Sequence, residues 1–175
     1  MPTSATGIWM TRGFTLLEVM VVMILIGIMT GFALLSVGGG PRDRLAEEAR
    51  RLAALVELHH QEAILNGETR GIRFDRDSYR MLGLDDRGQW RPPASTTALS
   101  ERQLPEGLIL GLWIEGRPAV TDADDARPQV LLLASGESTE FVAVFGFADE
   151  TGPDAPRHRV DGDALGRLTV SAASR

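Results

Sequence analysis

The feature that most constrains this chain is an apolar run near its start. Over positions 14–37 the only charge is Glu18. As a helix this run is roughly 36 Å long at ~1.5 Å per residue, enough to cross a ~30 Å hydrocarbon core with some tilt. A carboxylate inside such a helix costs at least ~2.5 kcal/mol at the centre, so Glu18 is a candidate functional residue. The plainer alternative is that Glu18 sits near the interface and snorkels to water. Gly38, Gly39, Gly40 and Pro41 then stop or bend the helix. Glycine is entropically costly in a helix, and Pro41 has no N–H to donate. Positions 38–42 are therefore expected to form a hinge between stalk and head, or a simple helix break.

Glu18 suggests its own partner. A cut between Gly13 and Phe14 would give Phe14 a free amine four residues before Glu18, on the same helical face. Amine and carboxylate would then neutralise each other, within one chain or between copies, which lowers the cost of holding either in an apolar medium. Gly27 and Gly31 are also four apart. That spacing lets another helix approach closely, although glycine is common in membrane helices for other reasons.

The stretch Arg12-Gly13-Phe14-Thr15-Leu16-Leu17-Glu18, followed by the apolar run, resembles the prepilin class III signal of type IV pilins and type II secretion pseudopilins. The resemblance implies cleavage between Gly13 and Phe14 by a prepilin peptidase, N-methylation of Phe14, and an assembly role for Glu18. Positions 1–13 would be the leader and 14–37 the transmembrane and assembly helix. A cleaved secretory signal is the rival for this segment. Its apolar region should be ~7–15 residues and end at a small-x-small site. Here the run is longer, and Ser36-Val37-Gly38 is a weak site.

A second helical pattern covers 43–65. Leu45, Ala49, Leu52, Val56, His59 and Ala63 alternate spacings of four and three, giving one apolar stripe. Arg44, Glu47, Glu48, Arg50, Arg51, Glu57 and Glu62 fill most of the remaining surface. Asp43 reads as the N-cap and Asn66-Gly67 as the stop. A helix of this kind packs its stripe on a sheet.

Strand patterns follow over 70–171. Positions 70–76 place Ile72 and Phe74 on one face, and 79–84 return with Tyr79 and Met81 inward. Trp90 follows a turn at 85–88. Positions 92–99 read as a loop, 108–115 as a buried strand containing Trp113, and 116–129 as a polar loop. Strands at 130–134 and 139–147 flank a turn at Ser135-Gly136-Glu137-Ser138, and 165–171 forms the last strand. Gly107, Gly111 and Gly116 read as strand-edge breaks. Six or seven strands after one amphipathic helix make an α+β head with antiparallel sheets. The pilin resemblance extends this to a pilin-like fold, with a long transmembrane-plus-amphipathic N-terminal helix packed on the sheet head of 43–175.

The head also resembles GspH/FimT-type minor pseudopilins. The residues are Gln61-Glu62-Ala63-Ile64-Leu65-Asn66-Gly67, then Ile72-Arg73-Phe74 and Tyr79, then 131–141 with Ser135-Gly136-Glu137 at its turn. Glu140 departs from the usual residue before Phe141. This resemblance implies a structural subunit of the type II secretion pseudopilus. Its partners would be other minor and major pseudopilins, the prepilin peptidase and the inner-membrane assembly platform. The N-terminus would be cytoplasmic and the head periplasmic. Arg12 agrees with that orientation and Arg42 and Arg44 run against it. A type IV pilus minor pilin that binds DNA is the nearest alternative, and a membrane-tethered periplasmic enzyme is a more distant one.

Other chemistries find little support. There is no Cys, so disulfides, thiolate metal sites and a Cys nucleophile are excluded. His59 and His60 are adjacent and point about 100° apart on a helix, so they do not share a metal as an i, i+4 pair does. His158 has no His or Cys nearby in sequence. Asp122, Asp124 and Asp125 lack the glycine and terminal Glu of an EF-hand loop and read as a solvated loop. Ser135 lacks the flanking glycines of a nucleophile elbow. No cofactor is expected. Formal net charge is −6, which does not suit non-specific nucleic-acid binding or attraction to an anionic membrane surface. Arg157-His158-Arg159 is the only dense basic triplet, and Asp161 and Asp163 follow it.

Overall fold

The computed structural model describes residues 16–36, 40–93, 100–121, 127–150 and 152–173. The chain divides into two compact units, Met1–Gly39 and Gly40–Arg175. The first holds helix α1, Leu16–Ser36. Surroundings of its side chains are described over 16–31. Among the described residues no helix is long and apolar enough to cross a membrane. The span expected over 14–37 draws on Phe14, Thr15 and Val37, which lie outside them.

The second unit opens with α2, Pro41–Asn66. It begins two residues earlier than the periodicity predicts. Gly40 is the N-cap, not Asp43, and Pro41 occupies the first turn, where its missing N–H costs nothing. The helix ends as expected: Gly67 takes a left-handed φ of 67°, and its N–H donates to the Ala63 carbonyl. Leu45, Ala49, Leu52, Val56, His59 and Ala63 are all at most 1% exposed.

Ten strands follow among the described residues, all antiparallel. One sheet holds β1 (Arg70–Phe74), β2 (Ser78–Leu84), β3 (Trp90–Arg91), β4 (Glu101–Gln103) and β7 (Val130–Leu132) in the order β3-β2-β1-β7, with β4 also on β2. The other holds β5 (Leu108–Ile114), β6 (Arg117–Pro118), β8 (Phe141–Phe147), β9 (His158–Gly162) and β10 (Leu168–Ala172) in the order β10-β9-β8-β5-β6. Helix α2 lies against β8, β9 and β10 of one sheet and β1 and β7 of the other. One core therefore joins three layers. Ile72 stands opposite Met81 and Phe74 opposite Tyr79. The Phe74 ring lies 6.4 Å from Tyr79 and 6.0 Å from Phe141, which links the two sheets.

Several differences from the sequence pattern have identifiable causes. Strand β9 was not expected, because its α2-facing positions are His158, Val160 and Gly162. A Cβ at Gly162 would lie 2.3 Å from the Phe141 ring, so the ring fills the place of a side chain. Strands β4 and β6 are two or three residues long and lie at sheet edges, where Pro118 is tolerated. Trp113 points outward at 36% exposure and is not buried. Gly111 is not a strand break. It lies within β5, and a Cβ there would come 3.0 Å from the Trp113 ring. The β5–β6 turn is made by Glu115 and Gly116 with φ of 48° and 76°, two positive values of the kind tight hairpins require. The last strand begins at Leu168, since the chain turns at Gly166.

Candidate assembly surface

Helix α1 has no polar face. Leu16, Leu17, Val19, Met20, Val21, Val22, Met23, Ile24, Leu25, Ile26, Ile28 and Met29 are all exposed, from 41% to 80%. Side chains at every angle round the axis are apolar, the pattern of a helix buried on all sides. Full burial of an exposed side chain of this kind is worth ~1.5–3 kcal/mol, and the 41–80% still exposed here leaves a corresponding part of that to be gained. Glu18 lies in the first turn, where a carboxylate complements the helix dipole. Val21 and Val22 share its face. A Cβ at Gly27 or Gly31 would meet nothing within 4 Å, so the notch between them is open in the single chain. Gly13 and Phe14 lie outside the described residues.

Four of the head's buried polar groups, Glu48, His59, His60 and Arg70, hold α2 in place. Glu48, expected on the solvated face, is only 4% exposed. It accepts from Arg102 of β4 through both carboxylate oxygens, a fork-to-fork pair. Tyr79 lies beside this pair. Burial raises its phenol above the usual range, and Glu48 adds to the shift. At the other end of α2, Arg70 of β1 is 2% exposed and donates to His59 Nδ1 at 2.9 Å and to Glu62 at 2.5 Å. Because Nδ1 accepts, the proton of neutral His59 sits on Nε2, which has no partner among the described residues. Burial, and then the Arg70 charge, lowers the His59 pKa.

His60 is buried too. Its Nε2 lies 3.0 Å from the Gly136 carbonyl, and the ring fills the space over Gly166. The turn 133–137 closes as a hairpin, with Leu133 N–H donating to the Glu137 carbonyl at 2.8 Å. His158 lies on the α2 side of β9, and burial followed by Arg50 lowers its pKa against an opposing pull from Asp43. Arg159 pairs with Asp161. The basic triplet is thus divided by strand alternation. Among the described residues no cluster of His, Asp and Glu could hold a metal ion; the acidic positions 122, 124 and 125 lie outside them. The sequence pattern did not reveal the two ion pairs. Each Glu sits among other charged or polar residues of α2, and its Arg lies on a strand 8 or 54 residues further on.

Residues 48–166 match the type II transport protein GspH family, and residues 10–34 match the prokaryotic N-terminal methylation motif. The chain is 34% identical to type II secretion system protein H of Pseudomonas aeruginosa, over 94% of this chain and 98% of that one. It is 31% identical to the protein H of Aeromonas hydrophila, over 90% and 92%. The crystal structure of the minor pseudopilin EpsH from the type II secretion system of Vibrio cholerae superposes with a TM-score of 0.65 at 25% identity, covering 76% of this chain and 99% of that one. The chain therefore belongs to the type II transport protein GspH family and serves type II secretion as a minor pseudopilin.

Proposed function

We propose that this pseudopilin works by assembly, with 14–37 as the working part. Positions 1–13 are removed between Gly13 and Phe14, and Phe14 is methylated. The helix then anchors the chain in the inner membrane with its N-terminus cytoplasmic and its head periplasmic. On assembly it leaves the bilayer for a bundle of like helices from other minor and major pseudopilins, driven by the assembly platform. Apolar packing supplies affinity, with Gly27 and Gly31 as a close-approach notch. Glu18, paired with the Phe14 amine, supplies register.

The observation that carries this reading is the contrast between a head with its own closed core and a helix exposed on every side. Such a helix finds its partners in lipid or in other subunits. Glu18→Ala is expected to leave peptidase cleavage intact and to reduce capture of the other pseudopilins severalfold. Normal capture by Glu18→Ala would overturn the register role. Intact mass and N-terminal sequencing of membrane-extracted protein should show methylated Phe14 as the first residue.

A further inference from the structure

Two features of the sequence find no use in the assembly helix. Arg42 stands on the flank of the apolar run where basic residues are disfavoured, and Arg157-His158-Arg159 is a basic triplet on an acidic protein. In the head they meet. A cleft of about 460 Å³ is lined by Arg42, Asp154, Arg157 and His158, with Pro156 and Ala172 among its apolar walls. Arg42 comes from the first turn of α2. The end of β10 closes in from beside β9, where Ala173 N–H donates to the Arg157 carbonyl at 2.9 Å.

The local charge is opposite in sign to that of the whole chain. Two guanidiniums and an imidazole face one carboxylate. Among the described residues neither Arg42 nor Arg157 forms an ion pair, whereas Arg70, Arg73, Arg91, Arg102, Arg159 and Arg167 all do. His158 Nδ1 is shielded from water and has no hydrogen-bond partner among the described residues. The cleft therefore presents two unused guanidiniums, and the guanidinium fork suits a phosphate oxygen pair.

Position narrows the source of the phosphate. Helix α1 ends at Ser36, and α2 starts at Pro41. Even a fully extended link keeps the Cα of Arg42 within about 22 Å of that of Ser36. With 14–37 in a bilayer, this cleft is within reach of the lipid headgroups, where basic residues are attracted to an anionic surface. We propose that the cleft binds the phosphate of an anionic phospholipid headgroup in the periplasmic leaflet. This rests on the anchor reading above. It also reverses, at one place, the expectation from net charge that the body has no affinity for such a surface. A lipid held there would steady the head before extraction and be shed as the subunit enters the filament.

The test uses the full chain in nanodiscs of phosphatidylcholine, with or without phosphatidylglycerol, and follows its three histidine rings by NMR. The His158 signal should shift between the two lipids while buried His59 and His60 hold still. In the Arg42→Gln, Arg157→Gln double variant that shift should vanish, with His59 and His60 unchanged as a sign of an intact head. Inorganic phosphate added to the phosphatidylcholine discs should not reproduce it. An unchanged His158 in both lipids, a shift that survives in the double variant, or one matched by inorganic phosphate would each overturn the proposal. A chain that enters the discs without the shift fails this proposal alone; one that does not enter them fails the anchor as well.

Discussion

The two helices stand next to each other in sequence and use opposite logic. Helix α2 keeps one stripe apolar and finds every partner for it within the same chain: β8, β9 and β10 on one side, β1 and β7 on the other. Helix α1 is apolar all round, and its large side chains described over 16–31 are exposed. One helix stabilises the subunit, and the other, on the assembly reading proposed above, is kept for a filament. The difference is set by polar residues. In α2 the charged groups either face water or, like Glu48 and Glu62, tie the helix to a strand. In α1 the single acid, Glu18, lies in the first turn of an otherwise apolar helix.

That contrast is tested most severely where α2 is tied down. Arg70→Ala leaves His59 and Glu62 facing a hole and is expected to destabilise the head by about 3–5 kcal/mol, the range for removing one partner of a buried pair. Urea unfolding of the variant would read it. Next come matched truncations of the two helices. Leu52→Ala in α2 removes a fully buried side chain and should cost about 2–5 kcal/mol. Leu25→Ala in α1 removes one that is 54% exposed and should leave the unfolding midpoint of the head within about 0.5 kcal/mol of the parent. A large loss from Leu25→Ala would show that α1 also serves the head, and the division between the helices would fail.

A smaller effect is expected at Gly166. Its φ is 73°, and a Cβ would lie 2.1 Å from the His60 ring. Gly166→Ala should cost about 1–3 kcal/mol from backbone strain, with some further loss as His60 is displaced. A parallel loss of the His60 hydrogen bond to Gly136 would appear as a moved His60 ring signal. This variant probes whether the C-terminal half of α2 is held by backbone shape as firmly as it is by Arg70.

How much of this was legible in the sequence follows the same division. The α2 stripe was readable because its period matches the helix, and His59 falls on that stripe. Glu48 was not, because a charge beside Glu47 on an amphipathic helix looks solvated until a distant Arg102 is folded against it. Strand β9 was hidden because Phe141 supplies the apolar contact from the neighbouring strand where Gly162 has none. Trp113 misled because a run of apolar residues does not say which face is covered. The processing and assembly residues Gly13, Phe14 and Glu18 were legible as a contiguous motif, and they remain a proposal for this chain. The lipid cleft was not legible, since Arg42 and Arg157 lie far apart in sequence and only the fold brings them together.

The smallest expected effect is in pH, and it sharpens the account of what holds α2. The His59 pKa is lowered from its ordinary 6.5 by burial and by Arg70. Above pH 6.5 both folded and unfolded chains hold it neutral, so nothing changes. Below 6.5 the unfolded chain takes up a proton that the folded one refuses, so stability falls with falling pH until the lowered folded value is reached. The slope for one proton is at most about 1.4 kcal/mol per pH unit. His158 is lowered in the same direction, so the parent alone does not separate the two. Asp85 and Asp163, held below the usual carboxylate range chiefly by the backbone N–H groups of Gln89 and Arg167, lose their contribution only as pH falls through their own lower values. His59→Gln should therefore flatten the fall just below pH 6.5 and leave the acid limb untouched. If urea midpoints of this variant track the parent through that range, His59 does not contribute to the pH dependence, and the hold of β1 on α2 rests on Glu62 and Arg70 alone.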